Sequence, residues 1–313
     1  MYLPYLRGKQ YELLALRELC TLPIDKSKIF PIIEPLKKEL KSIETALKAL
    51  HQAEVQMQLI VNPEYGDLKG HGVVILDFID RVRAAGLDNL TPTYMIANDR
   101  DFNFFQTTAH DRGYLETGYS LIHLNQISST VNLKVLINST NIKFNIIHTT
   151  HLMSLKRGFT RGLLSFLSDP FIKQKRNADY EGVENEFFSS DYQYYRQEGF
   201  AAFADYLTIG SNYSVGGMLP YAVAIHLTYR DKQSGDIWIK HFISDSNEDY
   251  SDTPGKFGEA LDKLIVFINA QGINTIACEQ FRDYYNRGAF PGLGVVKKLS
   301  IMHHMELMQD LVI

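Results

Sequence analysis

The sequence predicts an α/β fold: a TIM-like (β/α)8 barrel with an insertion before strand 7, a C-terminal β-hairpin extension and extra C-terminal helices. Eight short apolar runs occur along the chain, and the early ones alternate with helical segments of about 10–15 residues. Such alternation implies parallel strands that are joined by right-handed crossovers. The runs are apolar throughout, which suits strands buried on both faces, as in a closed barrel. A doubly wound open sheet is the alternative.

The eight predicted strands share an apolar composition rich in β-branched and aromatic residues, and they span residues 29–33, 57–61, 91–97, 119–124, 144–147, 163–167, 203–209 and 221–229. Between the early strands, apolar residues recur at helical spacing, most clearly in residues 38–52 and 73–85. The segment DKQSGD at residues 231–236 predicts a turn, so residues 221–229 and 237–243 are expected to form an antiparallel hairpin. Residues 1–9 are predicted to hold a polar element.

A single domain over residues 1–313 is predicted, because the composition is that of one globular chain, with 45% hydrophobic and 22% charged residues. Residues 170–200 contain no clear strand and are interpreted as the insertion. Residues 250–313 are predicted to form a helical region that packs on the barrel. Its start is marked by Asp252 and Pro254, a capping residue followed by a proline in the first turn.

Charge and cysteine content argue against several classes of protein. The net charge of −4 makes nucleic acid an unlikely direct partner. Cys20 and Cys278 are far apart and belong to no motif, which indicates reduced thiols and a cytoplasmic location. The sequence shows no signal-peptide pattern and no apolar run of about 18 residues, so no membrane association is expected. P-loop, GxSxG, HExxH and CxxC motifs are absent, and we predict neither a cofactor nor a bound metal.

Polar residues at the ends of the predicted strands form the candidate site, because parallel α/β folds bind ligands at the carboxyl ends of their strands. The candidate catalytic residues are Glu34, Asp205, His226 and Tyr229. The candidate substrate-binding residues are Asn62, Asn98, Asn125, His148, Ser211 and Arg230. The alternative for each of them is that strand ends lead into polar loops in any protein of this class.

Four candidates have specific alternatives. Glu34 follows an apolar strand and could act as a general base with a pKa raised by burial, or it could pair with Arg7 or Lys9. Asp205 and His226 lie inside apolar runs, where a polar side chain needs a partner. They are expected either to pair with each other or to face the barrel lumen. His148 has a second histidine three residues on, but no third metal ligand follows.

Opposite charges are segregated into two neighbouring segments, and mutual neutralisation is the favoured interpretation, with a phosphate-bearing ligand as the alternative. Residues 156–176 are strongly basic and residues 177–198 strongly acidic, so the two segments either neutralise each other or form a basic rim that attracts phosphate. The PGLGV segment at residues 291–295 resembles a phosphate-binding turn before a helix, with Lys297 and Lys298 close by. Aromatic residues within 187–195 suit either base stacking or a protein interface.

Several segments carry a resemblance to a known family: YLPYLRGKQYELLAL, RNADY, EFFSSDYQYYRQEGFAAFADYLTIG, LPYAVAIHLTY, IWIKHFISDSN and PGLGVVKKLSIMHHMELM. Together they resemble an uncharacterised bacterial family that is distantly similar to the phage "beta protein" family. The resemblance covers nearly the whole chain and implies a barrel-like fold. It also implies mobile-element or anti-phage defence neighbourhoods and a small nuclease-like protein as partner. It implies no reaction.

Two functions follow as hypotheses. The first is a hydrolase that acts on a phosphate-containing or nucleotide-like substrate through the candidate catalytic residues. The second is a non-catalytic partner or sensor that binds a nuclease-like protein through the aromatic insertion.

Overall fold

The computed structural model describes residues 1–157, 159, 164–213 and 220–312, which divide into two compact units. The barrel unit comprises Met1–Ser168, Asp191–Asp205 and Val312. The sheet unit comprises Asp169–Ser190 and Tyr206–Leu311. The predicted insertion at residues 170–200 is therefore shared between the two units. The predicted single domain stays a prediction.

The barrel unit contains a closed parallel barrel of eight strands, which confirms the predicted fold class. In order around the barrel, the strands are β1 (Tyr2–Leu6), β2 (Ile32–Ile33), β3 (Met57–Ile60), β4 (Leu90–Ile96), β5 (Tyr119–His123), β6 (Ile142–His148), β7 (Leu164–Ser168) and β9 (Ala202–Asp205). The intervening strand β8 (Asn185–Ser189) belongs to the sheet unit. Strand β7 begins at Leu164, and the predicted strand start at residue 163 lies outside the described residues.

The barrel closes through a strand that the sequence pattern did not predict. Residues 2–6, expected to be part of a polar element, form β1, which is buried along its whole length and pairs with both β2 and β9. The predicted eighth strand, residues 221–229, is not in the barrel at all. Pro4 and the short length of β1 hide its strand character. Its partner β9 is about 200 residues away in sequence, beyond the reach of any local pattern.

Helices follow the barrel strands as the alternation predicted. They are α1 (Gln10–Leu19), α2 (Lys41–Gln52), α3 (Gly72–Ala84), α4 (Asp99–Asp111), α5 (Tyr114–Thr117), α6 (Thr130–Asn138), α7 (Leu152–Leu155) and α8 (Asp191–Tyr194). In α2, the buried residues Ile43, Ala46, Leu47 and Leu50 recur at the spacing of one helical face.

Side-chain contacts across the barrel identify the strand faces that point into the lumen. The Tyr5 hydroxyl of β1 lies 3.7 Å from the Met95 sulfur of β4. The rings of Phe30 and Phe144, which belong to the β2 and β6 regions, are 5.5 Å apart. Because successive side chains of a strand point to opposite faces, Tyr2 points away from the lumen.

The sheet unit is built on a three-stranded sheet of order β10-β11-β8. Strands β10 (Ala224–Arg230) and β11 (Ile237–Ile243) form the predicted antiparallel hairpin, and β8 pairs with β11. The expectation of no strand within residues 170–200 was therefore wrong, because β8 is stabilised by a partner more than 40 residues away in sequence. The helices of this unit are α9 (Thr253–Gln271), α10 (Ile276–Arg287) and α11 (Leu293–Leu311).

The two faces of the sheet are covered by different helices. On one face, the Thr228 hydroxyl lies 2.9 Å from Nδ1 of His304 on α11. On the other face, the ring of Tyr229 packs 5.0 Å from the ring of Phe267 on α9. Helix α9 begins as predicted, with the Asp252 carboxylate accepting a hydrogen bond from the Gly255 amide. No helix in the described parts of the chain is long and apolar enough to cross a membrane.

Gly66→Ala is expected to destabilise the barrel unit more than Gly70→Ala does. Both glycines have positive φ angles, +78° and +77°, and alanine there costs about 1–2 kcal/mol. A Cβ atom at Gly66 would also overlap the backbone of Leu36, whereas a Cβ at Gly70 would meet nothing within 4 Å. Thermal unfolding of the two variants measures the difference. Equal losses would contradict the steric argument.

Candidate functional site

Glu34 lies immediately after β2 and is almost fully buried, at 1% exposure. Its carboxylate accepts hydrogen bonds from the Tyr5 hydroxyl at 3.0 Å and from the Glu64 amide at 2.9 Å. The Nε atom of Arg7 lies 3.6 Å away, so the predicted ion pair with Arg7 is present. Burial raises the pKa of Glu34, and the Glu64 amide, the Arg7 charge and the Tyr5 hydroxyl partly offset that rise. A carboxylate enclosed in this way is a structural anchor at the mouth of the barrel.

Asp205 ends β9 and accepts a hydrogen bond from the Tyr2 hydroxyl at 2.6 Å. Because Tyr2 points away from the lumen, Asp205 also lies on the outer face of the barrel sheet. Burial, together with the charge of Asp205, raises the pKa of Tyr2 well above its ordinary value. The expectation that Asp205 faces the lumen or pairs with His226 was therefore wrong. Asp205 and Glu34 lie on opposite faces of the same sheet.

The side-chain amides of Asn62 and Asn98 form hydrogen bonds with backbone groups of the barrel unit. Asn62 donates to the Met95 carbonyl at 2.7 Å and accepts from the Met95 amide at 2.8 Å, which ties the end of β3 to β4. Asn98 caps α4 by accepting from the amides of Arg100 and Asp101. Both residues lie at strand ends, as predicted, and both shape the walls of a cleft there.

Asn125 and His148 lie after β5 and at the end of β6, again at the predicted barrel edge. The Asn125 side chain is exposed and accepts a hydrogen bond from the Gln126 amide at 2.8 Å. Nδ1 of His148 accepts from the Thr150 amide at 3.3 Å and caps a short 3-10 turn. These contacts organise their loops.

Ser211 and Arg230 belong to the sheet unit. The Ser211 amide donates to the Asp169 carboxylate at 3.1 Å. Arg230 ends β10 and is exposed. Arg230 does not end a barrel strand as predicted, because residues 224–230 belong to the three-stranded sheet, whereas Ser211 follows barrel strand β9 in sequence.

His226 forms a three-residue chain that is the most specific chemical arrangement among the described residues. On neighbouring strands it is the direct cross-strand partner of His241, and the two Nδ1 atoms are 2.7 Å apart. Nε2 of His241 lies 3.0 Å from the Glu186 carboxylate on β8. The rings of Phe171 and Tyr180 pack against both imidazoles.

The protonation states of this chain follow from its contacts. The Glu186 carboxylate can only accept, so Nε2 of His241 carries the proton and its Nδ1 is an acceptor. His226 must then carry its proton on Nδ1, which leaves a lone pair on Nε2. Burial and the neighbouring His241 lower the pKa of His226 to about 3, so this imidazole is neutral near pH 7.

The free edge of His226 borders a cavity of about 300 Å³ within the sheet unit. His226 is partly exposed there, and its Nε2 has no hydrogen-bond partner among the described residues. The same cavity is lined by Lys173, Lys297, Thr208 and Ser300. Lys297 belongs to the first turns of α11, just after the PGLGV segment, whereas Lys298 is buried. Of the two lysines named in the phosphate-binding prediction, Lys297 lines this cavity and Lys298 does not.

Tyr229 lies three residues from His226 on β10, and the alternation of side chains puts it on the opposite face of the sheet. Its hydroxyl donates to Asn185 on β8 at 2.9 Å. Burial raises the pKa of Tyr229. The four candidate catalytic residues therefore do not form one set within either unit: Glu34 and Asp205 belong to the barrel unit, and His226 and Tyr229 to the sheet unit.

The contact between Cys278 and His303 has no catalytic geometry. Cys278 lies 3.6 Å from Nδ1 of His303, but Nε2 of that histidine contacts the Thr228 carbonyl at 2.6 Å, and burial raises the pKa of the thiol to about 11. Such a thiol stays protonated and unreactive. In the described parts of the chain, no group of three or more histidine, cysteine or carboxylate side chains is arranged to hold a metal ion.

Sequence reasoning identified His226 but missed His241 and Glu186. His241 sits within the apolar run of residues 237–243, and Glu186 lies in a segment with no strand prediction. The hairpin register would have revealed the histidine pair, since a turn at residues 231–236 places positions 226 and 241 opposite each other.

Comparison with protein-family models and with curated proteins finds no match to this chain. The resemblance to the bacterial family therefore stays a prediction from the quoted segments.

Proposed function

We propose that this protein is a hydrolase of phosphate-bearing substrates and that His226 is its general base. The observation that carries the proposal is the hydrogen-bonded chain from Glu186 through His241 to His226, which leaves Nε2 of His226 free on a cavity lined by two lysines. An oriented imidazole with an accessible lone pair is the commonest general base in enzymes. Lysine ammonium groups attract phosphate oxygens.

The chain of hydrogen bonds gives the abstracted proton a route. Nε2 of His226 takes a proton from water as the water oxygen forms a bond to phosphorus and the bond to the leaving oxygen breaks. The Nδ1 proton of His226 passes to His241, whose Nε2 proton passes to Glu186. Both imidazoles end neutral in the opposite tautomer, so no buried positive charge is left uncompensated. The reverse transfer returns a proton to the leaving oxygen.

The neutral state of His226 supports this role. Its low pKa keeps the lone pair available at neutral pH, although an isolated imidazole of that pKa would be a weak base. Transfer onward to Glu186 compensates for this weakness, because the proton ends on a carboxylate and not on a desolvated imidazole. Phe171 and Tyr180 fix the orientation of both rings.

His226→Ala is expected to lower kcat/KM for the best substrate by about 10²–10⁴-fold, the usual contribution of a general base. Substrates to screen are p-nitrophenyl phosphate, bis(p-nitrophenyl) phosphate and nucleoside triphosphates. His51→Gln, on α2 of the barrel unit, is the matched control and is expected to keep full activity.

A second measurement protects the test against misfolding. Nitrogen-15 chemical shifts of the wild-type imidazoles are expected to show His226 protonated on Nδ1 and His241 on Nε2. A folded His226→Ala variant with undiminished activity overturns the proposal, as does the opposite tautomer of His226 or a complete lack of activity in the screen.

The alternative function as a partner of a nuclease-like protein stays a prediction from the sequence resemblance. The cytoplasmic location and the lack of direct nucleic-acid binding likewise stay predictions from composition. One feature favours an interface: Phe187 of the edge strand β8 is 49% exposed and packs beside Trp238.

A further inference from the structure

A cleft of about 450 Å³ opens at the carboxyl ends of β3 and β4 in the barrel unit. Ligand sites of barrel folds form at this end, and volumes of this order hold small molecules. The cleft belongs entirely to the barrel unit, whereas the His226 cavity belongs to the sheet unit. An inference about the cleft is therefore independent of the proposed hydrolase activity.

The walls of the cleft are held by backbone contacts. Asn62 fixes the end of β3 to the Met95 backbone, as described above. The Asp101 carboxylate accepts from the Ala97 amide at 3.0 Å and completes the cap of α4. The Glu64 amide is held by the buried Glu34 carboxylate at 2.9 Å. The cleft is thus largely preorganised, which reduces the conformational entropy lost when a ligand binds.

One wall is aromatic. Phe104 lies against Gly72, where a Cβ atom would come within 2.6 Å of the ring, so only glycine allows this approach. The ring of Tyr94 supports Phe104 at a centroid distance of 6.1 Å. Together with Met95, this wall gives the cleft an apolar surface for the carbon part of a ligand.

Three charged side chains on the cleft are not committed elsewhere. Glu64, Lys69 and Arg100 all line it, and all three are exposed. Among the described residues, none of these side chains has a hydrogen bond or a salt bridge. Asp101 also lines the cleft, but its carboxylate accepts hydrogen bonds from the amides of Ala97 and Asn98 at the positive N-terminal end of α4, which offset part of its charge. The uncommitted groups therefore carry two positive charges and one negative charge.

We infer that the cleft binds a small phosphate monoester that also carries an ammonium group. Phosphate would be held by Arg100 and Lys69, and the ammonium by Glu64. Such a ligand carries a net charge of about −1 at neutral pH, which neutralises the uncommitted charges of the cleft. A plain amino acid has no net charge and a plain alkyl phosphate leaves Glu64 without a cation, so both complement the cleft less well.

The electrostatics of Glu64 agree with this arrangement. Burial and the Asp101 charge raise the pKa of Glu64, and the charges of Lys69 and Arg7 offset only part of that rise, so a further positive charge beside the carboxylate would stabilise its ionised form. A ligand ammonium supplies that charge. Binding is therefore expected to lower the pKa of Glu64 and to weaken as the carboxylate becomes protonated at acidic pH.

Isothermal titration calorimetry with 2-aminoethyl phosphate, ethyl phosphate and inorganic phosphate tests the inference. The aminoethyl ester is expected to bind at least tenfold more tightly than ethyl phosphate. Arg100→Ala is expected to weaken both esters about tenfold, which is about 1.4 kcal/mol. Glu64→Gln is expected to remove the preference for the aminoethyl ester and leave ethyl phosphate unaffected.

Two matched variants complete the experiment. Arg17→Ala removes an exposed arginine in the last turn of α1 and is expected to leave all affinities unchanged. His226→Ala serves as the background for every titration, because it prevents hydrolysis of the esters during the measurement and so separates this site from the hydrolase proposal. Equal binding of the two esters, retention of the preference in Glu64→Gln, or no binding of any probe at millimolar concentration overturns the inference.

Discussion

Glu34→Ala is expected to lower the free energy of unfolding by about 3–5 kcal/mol, the typical cost of breaking a buried ion pair. The substitution removes the carboxylate that faces the Arg7 guanidinium, whose side chain is 6% exposed. It also removes the acceptor of the Tyr5 hydroxyl and the Glu64 amide in the barrel interior. Buried polar groups that lose their partners each carry a desolvation penalty.

Urea denaturation of the variant measures this loss. Glu34→Gln preserves the shape and one acceptor oxygen, so it is expected to cost less than the alanine variant. Glu116→Ala, which removes an exposed glutamate of α5, is the matched control and is expected to change stability by less than about 0.5 kcal/mol. A loss below about 1 kcal/mol for Glu34→Ala would contradict the structural role assigned to this carboxylate.

Acidification is expected to destabilise the protein between about pH 6.5 and pH 4 because buried histidines resist protonation. Burial lowers the pKa of His123 to about 4, that of His226 to about 3 and that of His303 to about 4. The unfolded chain binds protons at these positions near pH 6.5, whereas the folded protein does not. Stability therefore falls as the pH drops through this window, by about 1.4 kcal/mol per pH unit for each histidine.

Buried carboxyl groups act in the opposite direction. The pKa of Glu34 is raised in the folded state, so the folded protein binds that proton first and gains stability on acidification. A histidine variant separates the two contributions. In the described parts of the chain, the hydrogen-bond partner of His123 is Asn145, at 2.5 Å, and His123→Gln retains a donor for it.

Urea denaturation at several pH values between 4 and 7 is expected to show a shallower dependence in His123→Gln. The slope should fall by about 1 kcal/mol per pH unit. His110→Gln, which alters an exposed histidine near the end of α4, should reproduce the wild-type slope. Identical slopes in all three proteins would show that His123 is protonated equally in both states.

The candidate site was predictable in part. Glu34 was expected either as a base or as the partner of Arg7, and the structure shows the ion pair. The strand-end rule correctly located Asn62 and Asn98, but their side-chain amides are hydrogen-bonded to the backbone. The charged side chains nearby that have no hydrogen bond or salt bridge among the described residues are Glu64, Lys69 and Arg100. The end of a strand can be predicted from the sequence because the run of buried apolar residues stops there. Whether a polar side chain there already has its hydrogen-bond partners depends on residues from other strands, which the local sequence does not show.

Local sequence patterns are sufficient to predict the fold class, most barrel strands, the β10-β11 hairpin and the start of α9. These features depend on local periodicity and turn chemistry, which act over a few residues. The closure of the barrel by residues 2–6 and the pairing of β8 with the hairpin depend on partners that are distant in sequence, so they become visible in the folded chain alone. The contacts of His226 with His241 and of His241 with Glu186 also depend on the fold, since cross-strand register sets which side chains touch.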